Sequence, residues 1–157
     1  MLKFYNFDIV FQEIPDETTL AVNITGCPFR CEGCHSPHLR EDIGEPLTRE
    51  ALRAVYGRYR SGVTCIALMG GDAHPEEVEK LSKFIREDIG VKSAWYSGAE
   101  KMPDGISASN FDFIKIGPYE AVHGGLKSET THQRLYRIGE DGTMIDITAR
   151  IRERKSL

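Results

Sequence analysis

No stretch of this chain is apolar over the roughly 20 residues that a membrane-spanning helix requires, although 40% of its 157 residues are hydrophobic. Nor is there an excess of positive charge. Twenty Lys and Arg face 24 Asp and Glu, a net charge of −4, so no basic field exists to hold a nucleic-acid backbone or an anionic membrane surface. Neither partner is expected. The N-terminus, Met1-Leu2-Lys3-Phe4-Tyr5-Asn6-Phe7-Asp8, alternates aromatic and polar residues and lacks the basic, apolar, then small-residue order of a secretory signal. A cytoplasmic location follows as the expectation, and there thiols stay reduced. Internal repeats, low-complexity tracts and a linker able to split the chain are also absent, so residues 1–157 read as a single domain that buries roughly 68–70% of the surface of its unfolded form. Cysteine is scarce, with four residues, yet three of them, Cys27, Cys31 and Cys34, stand together between Gly26 and His35.

The segments around that cluster alternate in period. Thr18 to Ile24 is rich in branched side chains and reads as a strand ending at the cysteine loop. Pro46 to Arg60 has helical spacing at Leu47, Ala51, Leu52, Val55 and Tyr59, with Thr48 as N-cap and Gly62 as terminator. Val63 to Met69 is continuously apolar, as in a strand buried on both faces of a parallel sheet, and runs into Gly70-Gly71-Asp72. Pro75 to Ile85 supplies a second helix with acids in its first turn. Val91 to Tyr96 and Phe111 to Ile116 read as further strands, ending in Ser97-Gly98 and Gly117-Pro118. After an ordered surface loop from Val122 to Thr131, the stretches His132 to Ile138 and Met144 to Ile147 suggest a hairpin turned at Asp141-Gly142.

This order predicts an α/β fold with ligand loops at the carboxyl ends of its strands. A complete eightfold barrel takes about 250 residues, more than the chain has. The expectation is therefore an incomplete, open (βα) barrel of mostly parallel strands with a short C-terminal hairpin and tail.

The spacing Cys-x3-Cys-x2-Cys lets three thiolates converge from one loop on a single metal centre, with Gly26 and Gly33 easing the turns. Three thiolates hold three corners of a cubane and leave one iron open. The alternative is a structural zinc site completed by His35, His38 or Cys65, although such sites usually draw on two separated ligand pairs. Cys65 stands between apolar neighbours and reads as a buried, inert thiol. His38, His123 and His132 have no partner of the right type nearby in sequence and read as surface or hydrogen-bonding residues, while His74 sits in the second glycine loop. Trp95 and Tyr96 read as core and loop packing, and Arg150, Arg152, Arg154 and Lys155 as a solvated tail.

Taken together, the runs Thr25-Gly-Cys-Pro-Phe-Arg-Cys-Glu-Gly-Cys-His35, Met69-Gly-Gly-Asp-Ala-His-Pro75 and Gly124-Gly-Leu-Lys-Ser-Glu-Thr-Thr-His-Gln-Arg-Leu135 resemble the radical S-adenosylmethionine superfamily. Within it they resemble the activating proteins of anaerobic ribonucleoside-triphosphate reductases, from about Asp8 to Ile147. The resemblance implies that Cys27, Cys31 and Cys34 ligate a 4Fe-4S cluster whose fourth iron is chelated by S-adenosylmethionine. It implies that Gly70, Gly71 and Asp72 meet the methionine amino group and that the backbone of Gly33, Cys34 and His35 covers the adenine. An electron from an external donor such as flavodoxin or ferredoxin would then yield methionine and a 5′-deoxyadenosyl radical, which takes a hydrogen from a glycine of the reductase. No side chain is expected to act as an acid or base catalyst, since the cofactor carries the hard step.

Three positions depart from that pattern. Gly33 replaces the aromatic residue that often precedes the third cysteine; Lys115-Ile116-Gly117 has no acid before its glycine; and the proline after the glycine-glycine-acid run is displaced to Pro75. Pyruvate formate-lyase, or another glycyl radical enzyme, is the alternative partner. A zinc-binding interaction module is the alternative class.

Overall fold

The computed structural model describes residues 1–11, 13–29, 37–120 and 122–153, with the backbone alone at 37, 38, 152 and 153. Its eight strands are β1 (Lys3–Val10), β2 (Thr19–Ile24), β3 (Glu45–Pro46), β4 (Cys65–Met69), β5 (Lys92–Tyr96), β6 (Phe113–Ile116), β7 (Arg134–Ile138) and β8 (Met144–Asp146). They form one sheet in the order β3-β1-β2-β4-β5-β6-β7-β8, whose two edges, β3 and β8, do not pair.

The expectation of mostly parallel strands is corrected. Only the centre, β2-β4-β5-β6, is parallel. β1 pairs antiparallel with β2 and β3, and β7 antiparallel with β6 and β8. Connection length explains the first reversal. Residues 11–18 are all that separate β1 from β2, and a parallel return needs a crossover of a dozen or more residues. The sheet is mixed and not closed, and the expected C-terminal hairpin is present as β7 and β8, turned where the N–H of Gly139 donates to Thr143 O at 2.8 Å.

Both expected helices form. In α1 (Arg49–Tyr59) the Thr48 side chain accepts from the N–H of Ala51 at 3.0 Å, satisfying one orphan donor. α2 (Pro75–Phe84) begins on Pro75, whose missing N–H costs nothing at a helix start, and runs on through a π-turn over Ile85–Ile89 to Gly90, which adopts a left-handed conformation at φ 86°. A short α3 (Ala149–Glu153) follows β8.

The alternation of side chains across the sheet divides the core in two. One face carries Leu20, Val22, Ile24, Ile66, Leu68, Trp95 and Ile114, packed against Leu52 of α1 and Val78, Leu81 and Phe84 of α2. The other is built from small side chains, Cys65, Ala67 and Ala94, with Phe113 and Leu135, and is covered by Ile14, Ile147 and Ile151. No helix among the described residues is long and apolar enough to cross a membrane.

Candidate functional site

Because the four central strands run parallel, their carboxyl ends emerge on one rim of the sheet: Thr25 to Phe29 after β2, Gly70 to Asp72 after β4, Ser97 and Gly98 after β5, and Gly117 after β6. The cysteine loop leaves this rim under backbone control. Gly26 turns at φ 75°, and its N–H and that of Cys27 donate to Glu41 O and Leu39 O at 3.1 and 2.9 Å. Thr25 is buried, with its hydroxyl donating to Ile43 O at 2.6 Å. Cys27 is half-buried, its Sγ 3.8 Å from Phe29 O. Cys31, Gly33, Cys34 and His35 lie outside the described residues, as do Arg154 and Lys155 and the side chain of His38.

The Gly70-Gly71-Asp72 loop lies directly beside this one. A Cβ on Gly70 would approach Ile24 O to 3.2 Å, and one on Gly71 would come within 2.6 Å of Val78 Cγ2, while both residues have φ near or above 90°. Side chains are excluded here by the closeness of β2 and α2. Asp72 reaches across to the next loop, accepting from the hydroxyl of Ser97 and from the N–H of Gly98 at 3.2 Å. Burial raises its carboxyl above the ordinary value, and the bonds from Ser97 and Gly98 and the nearby Lys115 ammonium offset this only in part.

Gly98 in turn admits Phe29 of the cysteine loop, whose ring would sit 2.8 Å from a Cβ at that position. Trp95, buried and stacked on Phe111 with ring centroids 5.6 Å apart, donates its indole N–H to Gly70 O at 2.7 Å. Three consecutive rim loops are therefore locked together by Phe29 on Gly98 and by Asp72 on Ser97.

Lys115 completes the rim. It is buried, and its ammonium donates to Ser97 O and Gly117 O, both at 3.0 Å. Where the resembled activators often carry an acid near this strand end, a cation here binds carbonyls of two loops. Ser97, Phe29 and Lys115 are the rim residues that sequence reasoning gave no role. The signal for the first was the Ser97-Gly98 pair at a strand end.

A cavity of 380 Å³ opens beside the cysteine loop, lined by Lys3, Thr25, Gly26, Asp42, Gly71 and His74 among others. Lys3 and Asp42 pair at 2.8 Å, and the Lys3 ammonium holds the Asp42 carboxyl below its usual range. His74 caps α2 with its backbone only. A larger hollow of 670 Å³ between β1 and α1 draws no lining from the Thr25–Phe29 or Gly70–Asp72 loops, so it lies apart from these chemistry-bearing loops.

Cys65 drops out of any ligand set. It opens β4, paired in register with Thr19 at the amino end of β2, whereas Cys27 follows the carboxyl end. It is fully buried, and desolvation pushes its thiol far up. Three thiols on one glycine-bounded loop suit an iron–sulfur cluster in donor chemistry, and among the described residues a Cβ on Gly26 would meet no atom within 4 Å, beside the adjoining cavity.

The model of the 4Fe-4S single cluster domain matches residues 18–113, more than half of the chain, and that stretch contains Cys27, Cys31, Cys34 and Gly70 to Asp72. No curated protein and no solved structure matches the chain.

Proposed function

Since the chain belongs to the family of 4Fe-4S single cluster domains over residues 18–113, we propose that its cluster serves radical S-adenosylmethionine chemistry, installing a glycyl radical on an anaerobic ribonucleoside-triphosphate reductase. Residues 1–157 act in this reading as one domain, and Cys27, Cys31 and Cys34 hold three irons. When bound, the cluster and S-adenosylmethionine supply a one-electron reductive cleavage, with the electron drawn from a donor of the flavodoxin or ferredoxin class.

The observation that carries the reading is the junction of the cysteine loop and the Gly70-Gly71-Asp72 loop on one rim, beside a 380 Å³ cavity. The chain's own residues bind and orient. Gly71 brings bare backbone to the cavity edge, with Gly70 beside it against Ile24. Asp72 places negative charge near a bound ammonium and, through Ser97 and Gly98, fixes the height of the β5 loop. By the resemblance to the radical S-adenosylmethionine superfamily, Gly33, Cys34 and His35 would be the residues on the adenine side of a bound S-adenosylmethionine. Phe29 packed on Gly98 holds the cysteine loop against the β5 end of the rim. A sheet that is not closed leaves a lateral opening for a peptide segment of a large partner.

The test is anaerobic incubation of reconstituted chain, S-adenosylmethionine and reductant with the reductase or with pyruvate formate-lyase. A glycyl radical doublet on the reductase, absent with Cys27→Ser, is the expected result. A doublet with the lyase alone reassigns the partner. Stoichiometric zinc without 5′-deoxyadenosine release returns the chain to the class of zinc-binding interaction modules.

A further inference from the structure

The connection from β6 to β7 gathers three ligand-type side chains far along the chain from the cysteine loop. Glu120, His123 and His132 each offer one ligand atom, and these atoms all lie within 4.8 Å of one another. Nδ1 of His132 stands 2.8 Å from Oε1 of Glu120. The two imidazoles stack with centroids 3.8 Å apart and planes inclined by 25°.

Backbone geometry, rather than these contacts alone, brings them together. The N–H groups of His123 and Gly124 both donate to Glu120 O, at 3.0 and 2.7 Å, which folds the chain back so that Glu120 and Gly124 form an antiparallel bridge. Gly124 takes φ 79°, and a Cβ there would meet Ser128 Cβ at 2.6 Å. The returning strand is fastened to the same turn by Thr130 Oγ1 donating to His123 O at 2.8 Å and by Thr131 Oγ1 donating to Gly124 O at 3.3 Å. His132 follows directly, and its ring stacks on that of His123.

Two imidazoles and one carboxylate form the donor set of a zinc ion that keeps its fourth position for water. Metal–donor distances near 2.0–2.2 Å place tetrahedral ligand atoms roughly 3.3–3.6 Å apart. Separations of up to 4.8 Å close only if the stacked imidazoles turn about their χ angles so that both ring planes point at the ion, and all three residues are half-buried or exposed, which leaves room for that turn.

We propose that Glu120, His123 and His132 form a binding site for one divalent zinc-type ion, with water as fourth ligand. The site is separate from the cysteine loop in chain position and in ligand type: nitrogen and oxygen here, thiolate there. Its ion fastens the long connection that starts at Gly117, whose carbonyl oxygen also accepts from Lys115 and from Gln133 Nε2 at 3.3 Å. The proposal does not rest on the radical reading.

The test is titration of the full chain, cluster-loaded under anaerobic conditions, with Co²⁺ and then Zn²⁺. One equivalent of Co²⁺ with the visible bands of tetrahedral nitrogen–oxygen ligation, displaced by Zn²⁺, is expected. His123→Asn and His132→Asn should each weaken binding by at least the roughly 10- to 100-fold that loss of an outer-shell partner alone produces, and Glu140→Gln should not. A second readout needs no variant: Zn²⁺ should shift the imidazole nitrogen resonances of two of the five histidines. Absence of binding, cobalt bands showing thiolate ligation only, unchanged affinity in both histidine variants, or unmoved imidazole resonances would each overturn the proposal.

Discussion

Asp72 ties the second glycine loop to the third, and the cost of doing so is visible in its protonation. Its carboxyl is raised above 3.8 chiefly by burial, so the folded chain holds this proton more tightly than the unfolded chain does. With a raised carboxyl, stability falls as pH rises from the unfolded-state value through the folded one. Asp72→Asn removes that dependence and, by turning a carboxylate oxygen into an amide N–H, loses an acceptor for Gly98 at a cost of about 1 kcal/mol. The stability difference between variant and wild type should therefore move in the variant's favour from about pH 4 to about pH 7, as read by urea unfolding at both. A difference that is constant, or that moves the other way, would show that the carboxyl is not raised. At this scale the run Gly70-Gly71-Asp72 stood out in the sequence because glycines and an acid follow an apolar strand. Its partner Ser97 did not, since the two are joined only when neighbouring strands align. Lys115 shows the same limit. A lysine in a strand reads as exposed, and its burial depends on carbonyls contributed by two loops.

The elements meet most tightly where β4 hands over to α2. Gly71 takes φ 87°, and a Cβ would stand 2.6 Å from Val78 Cγ2. Gly71→Ala combines a left-handed backbone with overpacking, and it should lower stability by at least about 2 kcal/mol in chemical denaturation. A loss within about 0.5 kcal/mol, the range of ordinary surface changes, would mean that α2 does not press on the loop. The helices were legible in sequence because caps and spacing are local: Thr48 and Pro75 stand where expected. The central strands were legible as apolar runs. β1 was not legible as a strand: Phe7 and Ile9 alternate, but Phe4 stands three residues before Phe7, out of period two, where the register with β2 shifts between Phe4 and Asn6. β3 is two residues long, pairing with Lys3 and Phe4, and no pattern can be read from so short a piece.

Over the whole molecule, a four-strand parallel centre flanked by antiparallel strands presents every ligand loop on one rim and leaves the sheet open. The alternation of strand and helix foretold the centre, while the antiparallel turns from β1 to β2 and from β7 to β8 depended on connections too short to cross over. Thiols in one loop and the family match mark a cluster, but the proposed chemistry would need an open iron next to the second glycine loop. The most direct measurement is therefore the electron paramagnetic resonance spectrum of the reduced, reconstituted chain before and after addition of S-adenosylmethionine. The account predicts about four irons per chain and a cluster signal that changes on addition in wild type, with the signal lost in Cys27→Ser. A reduced 4Fe-4S signal that S-adenosylmethionine leaves unchanged would contradict it.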